Sequence, residues 1–270
     1  MTSVADVMDA LEQRFPLDLA EDWDVNGLTV GRPDGEVTRA LFAVDPTMAV
    51  VQEAIEAECD LIVTHHPLLL RGVTTVHAGT PKGAVIHALI EHGIALYNAH
   101  TNADHAGTGV AEALAEALGV SGALPLVPLR DDAEQGTGRI GRLDAPVTLG
   151  EFARRAADVL PDTAHGVRVA GELDGAVQTV AVVGGAGDSF LAAAREAGAD
   201  VYLTADLRHH PASDAREAAL LGDGRPYLVD VAHYASEWLW LDAAAEFVGD
   251  ATGIDTLVST LNTDPWTARF

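Results

Sequence analysis

One stretch of the chain occurs twice, and that constrains the fold more than any other feature. Residues 39–64, RALFAVDPTMAVVQEAIEAECDLIVT, align without a gap to 179–204, TVAVVGGAGDSFLAAAREAGADVYLT, at a constant offset of 140. Each copy reads as a strand, a turn, a helix, then Glu-Ala, two further residues, Asp, three apolar residues and Thr. Glu56, Ala57, Asp60 and Thr64 thereby match Glu196, Ala197, Asp200 and Thr204. Any βαβ unit resembles another to some degree, but a gapless register favours two homologous lobes.

The remaining apolar runs extend the pattern. ALFAVD (Ala40–Asp45), DLIVTHH (Asp60–His66), IALYNAH (Ile94–His100), TVAVVGG (Thr179–Gly185), DVYLTAD (Asp200–Asp206) and YLVDVAH (Tyr227–His233) read as buried strands. MAVVQEAIEAE, KGAVIHALIEHG, GVAEALAEALG and SFLAAAREAG read as the helices between them. Continuous apolar strands alternating with helices predict an α/β fold with a mostly parallel sheet. The expected division is a first lobe over 1–125, a connecting segment over 126–170 that reads as a connecting helix with short strands around PVTLGEFARRAADVL, and a second lobe over 171–270.

The chain of 270 residues carries 16 basic and 41 acidic side chains, a net charge of −25. Such a surface repels a phosphate backbone, so broad nucleic-acid binding is not expected. A single cysteine, Cys59, excludes an intrachain disulfide and a thiolate zinc cage. The start, MTSVADVMDALEQRF, reads as an amphipathic helix with no basic n-region or apolar h-region, hence not a signal peptide. No run is apolar over the length a membrane span needs. A cytoplasmic protein is the expectation.

Chemistry gathers at strand ends. His65 and His66 follow the run DLIVT, where ligands of open α/β sheets bind. Neighbouring residues of a strand point to opposite faces, so the two imidazoles suit two nearby ions better than one; a hydrogen-bonded pair at a strand end explains them as well. IALYNAH leads into HTNADHA, which brings His100, Asp104 and His105, although an Asp in such a turn is by default a turn former. The last strand leads into His233 and Glu237, one helical turn apart and on one face if a helix starts there. Together these are nitrogen and oxygen donors without thiolate, a set that suits borderline first-row ions such as Zn²⁺, Fe²⁺ or Mn²⁺ rather than Ca²⁺. GGAGD (Gly184–Asp188) is either a phosphate-holding turn or simply a tight one.

These residues carry a resemblance. WDVNGL (Trp23–Leu28), DLIVTHHPLL, the HTNAD turn, GRIG (Gly138–Gly141), VAVVGGAGD, YLTADLRHH, AHYASE (Ala232–Glu237) and the closing TDPW, in that order, resemble the NIF3-like family, also labelled GTP cyclohydrolase I type 2 homologues. The resemblance implies two pseudo-symmetric lobes with a dinuclear metal cleft between them. It implies that His65 and His233 hold one ion, His66 and Asp104 the other, and that Glu237 bridges both. It further implies a toroidal homohexamer, a trimer of dimers. The sequence departs from the family pattern at Val25-Asn26, which are exchanged, and at Ala205 and Ala232, which stand where glycines are usual; none of these is an expected ligand.

Two classes of function follow. The first is a metal-dependent hydrolase acting on a nucleotide-like or phosphoester small molecule, with His100, Asp206 and His210 as candidates for proton transfer. The second is a non-catalytic metal-binding or regulatory scaffold. Turnover by metal-loaded protein separates them.

Overall fold

Each apolar run read as a strand forms one, and local capping chemistry starts several of the helices. In the computed structural model, which describes residues 1–129 and 134–270, helix α1 (Val4–Arg14) begins at Ser3. The Ser3 hydroxyl accepts from the Asp6 amide and the Asp6 carboxylate accepts from the Ser3 amide, satisfying two groups that a helix start leaves over. The chain continues through β1 (Gly27–Val30), β2 (Arg39–Ala43), α2 (Met48–Glu56), β3 (Leu61–Thr64), α3 (Pro81–His92), β4 (Ala95–Asn98) and the short α4 (Thr101–His105). Next come α5 (Val110–Ala117), β5 (Val120–Leu124), β6 (Val127–Pro128), β7 (Gly136–Thr137), β8 (Arg139–Thr148), α6 (Leu149–Val159), β9 (Arg168–Ala170) and β10 (Ala176–Ala186). The last part holds α7 (Leu191–Glu196), β11 (Val201–Ala205), α8 (His209–Leu220), β12 (Tyr227–Val231), α9 (His233–Trp238), α10 (Trp240–Thr252) and β13 (Asp255–Val258).

The chain divides into two compact units, residues 1–106 with 241–263 and residues 107–240 with 264–270. This differs from the expected 1–125, 126–170 and 171–270. The described part of the expected connector belongs to the second unit, because β8 within it pairs with both β5 and β10. Short strands were expected there, but not one of ten residues inside this sheet: Arg139, Gly141 and Leu143 are buried in alternation, yet the first is charged and the second has no side chain. Residues 130–133 of that segment lie outside the described residues.

Among the described residues, the first unit has a sheet in the order β1-β4-β3-β2-β13, parallel except for β1. The second has the order β5-β8-β10-β11-β12-β9, with β10, β11 and β12 parallel and antiparallel strands on either side. The mixed α/β class is the one expected. In the first unit Leu41, Ile62 and Leu96 pack with Val50, Val51 and Ala54 of α2 and with Val85, Ile86 and Leu89 of α3. In the second, Ala181, Val183, Tyr202 and Leu228 pack with Leu191 and Ala194 of α7. Each fully buried Val or Leu contributes about 1.5–3 kcal/mol of hydrophobic stabilisation.

The repeat holds in three dimensions. Ala40, Leu41 and Phe42 pair with Leu61, Ile62 and Val63, and at the same offset Val180, Ala181 and Val182 pair with Val201, Tyr202 and Leu203. The recurring Asp explains why the register repeats. Asp60 accepts from the Thr38 amide at 2.7 Å and the Arg39 amide at 3.2 Å; Asp200 accepts from the Gln178 and Thr179 amides, both at 2.8 Å. One carboxylate thus holds the entry to the neighbouring strand in each copy. The parallel strands β3, β4, β11 and β12 then deliver the chemistry-bearing residues at their C-terminal ends.

Candidate metal centre

In the first unit β3 stops at Thr64, so strand alternation no longer governs the next two residues. The His65 amide donates to the Ala43 carbonyl and the His66 amide to the Val44 carbonyl, and both rings turn toward the same place, with centroids 5.0 Å apart. The expectation that adjacent imidazoles diverge fails here for that reason. His65 is fully buried and its Nδ1 donates to the Ala99 carbonyl at 3.0 Å. His66 is half-buried, and its Nδ1 lies 2.7 Å from Asp45 Oδ1. The other Asp45 oxygen accepts from the Thr263 hydroxyl, which gives the closing TDPW segment a structural task. At the end of β4, His100 brings its ring within 5.2 Å of His65 and 5.6 Å of His66, centroid to centroid. One ring nitrogen from each of the three lies within 4.8 Å of the others. Asp104 Oδ1 stands 3.7 Å from His65 Nε2.

His100 is held by Asp24, whose Oδ1 accepts from His100 Nδ1 at 2.8 Å. The other Asp24 oxygen accepts from the Thr101 amide at 3.0 Å and from the Asn26 side chain at 2.8 Å. Burial alone would raise the Asp24 pKa, but the His100 and Thr101 hydrogen bonds outweigh it and hold the carboxyl far below the usual carboxylate range.

In the second unit α9 begins at His233, so His233 and Glu237 share one helix face. His233 Nε2 lies 3.0 Å from Glu237 Oε1, and its Nδ1 donates to Asp206 Oδ2 at 2.8 Å. Glu237 is only 3% exposed, and a carboxylate so deep needs a cation beside it. Burial opposes a proton on His233, yet Glu237 and Asp206 outweigh it and push the imidazole pKa up to about 11. The His233 hydrogen bond holds Asp206 below its ordinary value. Gly185 has φ +67°, and a Cβ there would run into the Glu237 carboxylate and come within 3.2 Å of His233 Nε2. Close approach, together with the left-handed backbone, requires glycine at that point.

The donor chemistry fits a divalent first-row ion. His65, His66, His100 and His233 all present Nδ1 to a carbonyl or carboxylate oxygen. At His65, His66 and His100 that places the hydrogen on Nδ1 and the lone pair on Nε2, the arrangement that outer partners impose on metal-ligating histidines; His233, with its raised pKa, also carries a proton on Nε2 facing Glu237, one that a bound metal would displace. The 3.0 Å between His233 Nε2 and Glu237 Oε1 is a charge-assisted hydrogen bond, in keeping with the raised His233 pKa.

The other expected residues are placed differently. His210 is exposed at the start of α8, its ring edge-on to His209 at 5.2 Å. Asp206 accepts from an imidazole, as an orienting group does. GGAGD does not begin a long helix: a 3-10 turn over Asp188–Phe190 follows it, with the Asp188 carboxylate in that first turn and paired to Arg208. A phosphate would meet negative charge there. Sequence reading missed Asp24, Asp45 and Gly185. The only signals for them were an Asp directly after the run ALFAV, the Asp of WDVNGL and the second glycine of GGAGD.

Comparison with known proteins agrees with these motifs. A family profile described as Duf34/NIF3 (NGG1p interacting factor 3) matches residues 2–265. A Streptomyces coelicolor protein named GTP cyclohydrolase 1 type 2 homolog is 50% identical, the match covering 100% of this chain and 95% of that one. A Staphylococcus aureus protein of known structure superposes with a TM-score of 0.88 at 30% identity, covering 99% of each chain. A Bacillus cereus protein related to NIF3 gives a TM-score of 0.88 at 25% identity, covering 98% of this chain and 99% of its own.

Proposed function

Because the chain belongs to the Duf34/NIF3 family, we propose that it binds two divalent first-row ions (Zn, Fe or Mn) and hydrolyses a nucleotide-like or phosphoester small molecule with them. The ligands in this reading are His65, His66, Asp104, His233 and Glu237, with His65 and His233 on one ion, His66 and Asp104 on the other and Glu237 on both. The observation that supports it is the way the ligand imidazoles are held: His65, His66 and His233 each present Nδ1 to an oxygen acceptor, which leaves Nε2 as the atom that would meet a metal. The names of the relatives, GTP cyclohydrolase 1 type 2 homolog, support a purine-nucleotide substrate for them; in this chain no residue singles out guanine.

A pair of such ions, when bound, supplies Lewis acidity toward a substrate oxygen and lowers the pKa of a water. The chain's own groups do the rest. Asp24 fixes the His100 ring so that Nε2 is the nitrogen that takes and returns a proton. Asp206 orients His233, and Asp45 orients His66. His210, exposed at the start of α8, is a second proton carrier in this reading. A homohexamer working in the cytoplasm completes the proposal, carried by family resemblance; light scattering that finds a stable monomer at micromolar concentration would contradict the assembly. In the structure no helix is long and apolar enough to cross a membrane among the described residues.

The direct test is turnover. Protein loaded in turn with Zn, Fe, Mn and Co is assayed against GTP, nucleotide phosphoesters and small phosphodiesters. Hydrolysis that disappears in His100→Ala and Glu237→Gln supports the reading. No turnover with any ion leaves the non-catalytic metal-binding role in its place.

A further inference from the structure

The second unit holds a cavity of about 420 Å³ away from its candidate ligands His233 and Glu237, within the size range of small-molecule sites. It lies between the edge strand β9, the end of β12 and one face of α8. His209, Ala212, Ser213 and Arg216 line it at helical spacing, and Arg168, Leu207, Leu228 and Asp230 contribute from the other side. Its floor is aliphatic, and its polar side chains are mostly donors, with one carboxylate among them. In a chain of net charge −25, two arginines, an imidazole and a hydroxyl converge on one small space.

Among the described residues the one carboxylate of the wall, Asp230, is already committed. Asp230 accepts from His165 Nε2 at 2.8 Å, from the Leu207 amide at 2.9 Å and from Arg168 Nε at 2.8 Å, with Arg168 Nη2 on the same oxygen. Arg168 therefore presents its third nitrogen, Nη1, without a protein acceptor among the described residues, and its side chain is 59% exposed. Arg216 spends Nη1 on the Gly224 and Pro226 carbonyls and lies over the Tyr227 ring, 5.6 Å from its centroid and within the about 6 Å reach of a cation–π contact. This anchors the guanidinium while Nη2 keeps its hydrogens for something else. Two guanidinium groups against one neutralised carboxylate leave the cavity positive, and a guanidinium recognises oxyanions by paired hydrogen bonds.

We propose that this cavity binds a small organic oxyanion, a phosphate ester or a carboxylate carried on a flat apolar body. The anion sits on Arg168 and Arg216 near Ser213, and the body lies on Ala212, Leu207 and Leu228. The site is independent of the metal reading, since none of these residues is a proposed ligand.

The test uses the full chain stripped of metal with chelator, so that phosphate cannot report on bound ions. Phenyl phosphate, benzoate, benzyl alcohol and inorganic phosphate are titrated by calorimetry, with amide chemical shifts read in β9 and α8. At least one of the two organic anions is expected to bind about tenfold more tightly than both the neutral alcohol and inorganic phosphate. Which of the two binds identifies the oxyanion. Ala212→Phe, which fills the space without altering charge, and Arg168→Gln, on an exposed edge, should each weaken that binding about tenfold or more. Glu237→Gln should leave it unchanged. The proposal is overturned if neither organic anion binds saturably, if inorganic phosphate or the alcohol binds as well, if the folded Arg168→Gln or Ala212→Phe protein binds like wild type, or if Glu237→Gln abolishes binding.

Discussion

The two copies of the repeat share a scaffold and differ in what they carry at its end. After Thr64 the first copy has His65 and His66; after Thr204 the second has Ala205 and Asp206. In the first, the imidazole comes from the strand end and its orienting carboxylate, Asp45, from the turn after β2. In the second, the carboxylate comes from the strand end, the imidazole is His233 after the next strand, and the position matching Asp45 is Gly185. In the second copy the carboxylate stands at the strand end where the first has its imidazole, and the imidazole comes instead from the start of α9. The parts that set the register, Asp60 and Asp200, stay the same. Scaffold and site are therefore separable, and substitutions at matched positions should have unlike consequences where the site differs and like ones where the scaffold is shared.

The sharpest contrast is at the turn. Gly185→Ala meets both a left-handed backbone and the Glu237 carboxylate, and should cost about 3 kcal/mol. Asp45→Ala, at the matching position, should cost only about 1 kcal/mol, for the loss of hydrogen bonds to His66 and Thr263. Urea unfolding of both variants measures the difference, and equal costs would break the comparison. Next come the shared aspartates. Asp60→Ala and Asp200→Ala each remove the acceptor of two backbone amides, and each should lower stability by about 2 kcal/mol. A large effect in one copy alone would show that the scaffolds are not held alike.

Asp206→Asn and Asp45→Asn keep the shape of the orienting group and remove its charge. Each should weaken binding of one ion about 10–100-fold, with unfolding changed little. Calorimetric metal titration reads this, and an unchanged affinity would make both carboxylates bystanders. The smallest expected effect concerns the residue before the strand-entry region. Glu58 sits at φ 52°, where the second copy has Gly198 at φ 73°. Relief of that left-handed strain, less the added freedom of the unfolded chain, should make Glu58→Gly more stable by about 0.5 kcal/mol. A destabilised variant would mean that the Glu58 side chain contributes contacts that outweigh the strain.

The elements were legible because parallel strands buried on both faces are continuous apolar runs: every residue of β3, β4, β11 and β12 is buried. β8, expected only as a short strand of the connector, was not legible as a ten-residue member of the second sheet, since its buried Arg139 is held by Glu112 and by the Gly136 and Gly138 carbonyls rather than by apolar neighbours. In the site, residue types at strand ends could be read from the chain; their partners could not. Asp24 reaches His100 across 76 positions, and Thr263 reaches Asp45 across 218. No local pattern encodes contacts that the fold alone brings together.

The central claim is that the imidazoles and Glu237 hold two ions, and counting ions tests it most directly. A carboxylate has two oxygens and bridges two cations, which a neutral imidazole does not do; its charge also offsets the repulsion between them. Elemental analysis of wild type and Glu237→Gln, each purified without added metal, should find two ions per chain in the first and at least one fewer in the folded mutant. Glu237→Gln protein that still holds two ions per chain would contradict the account.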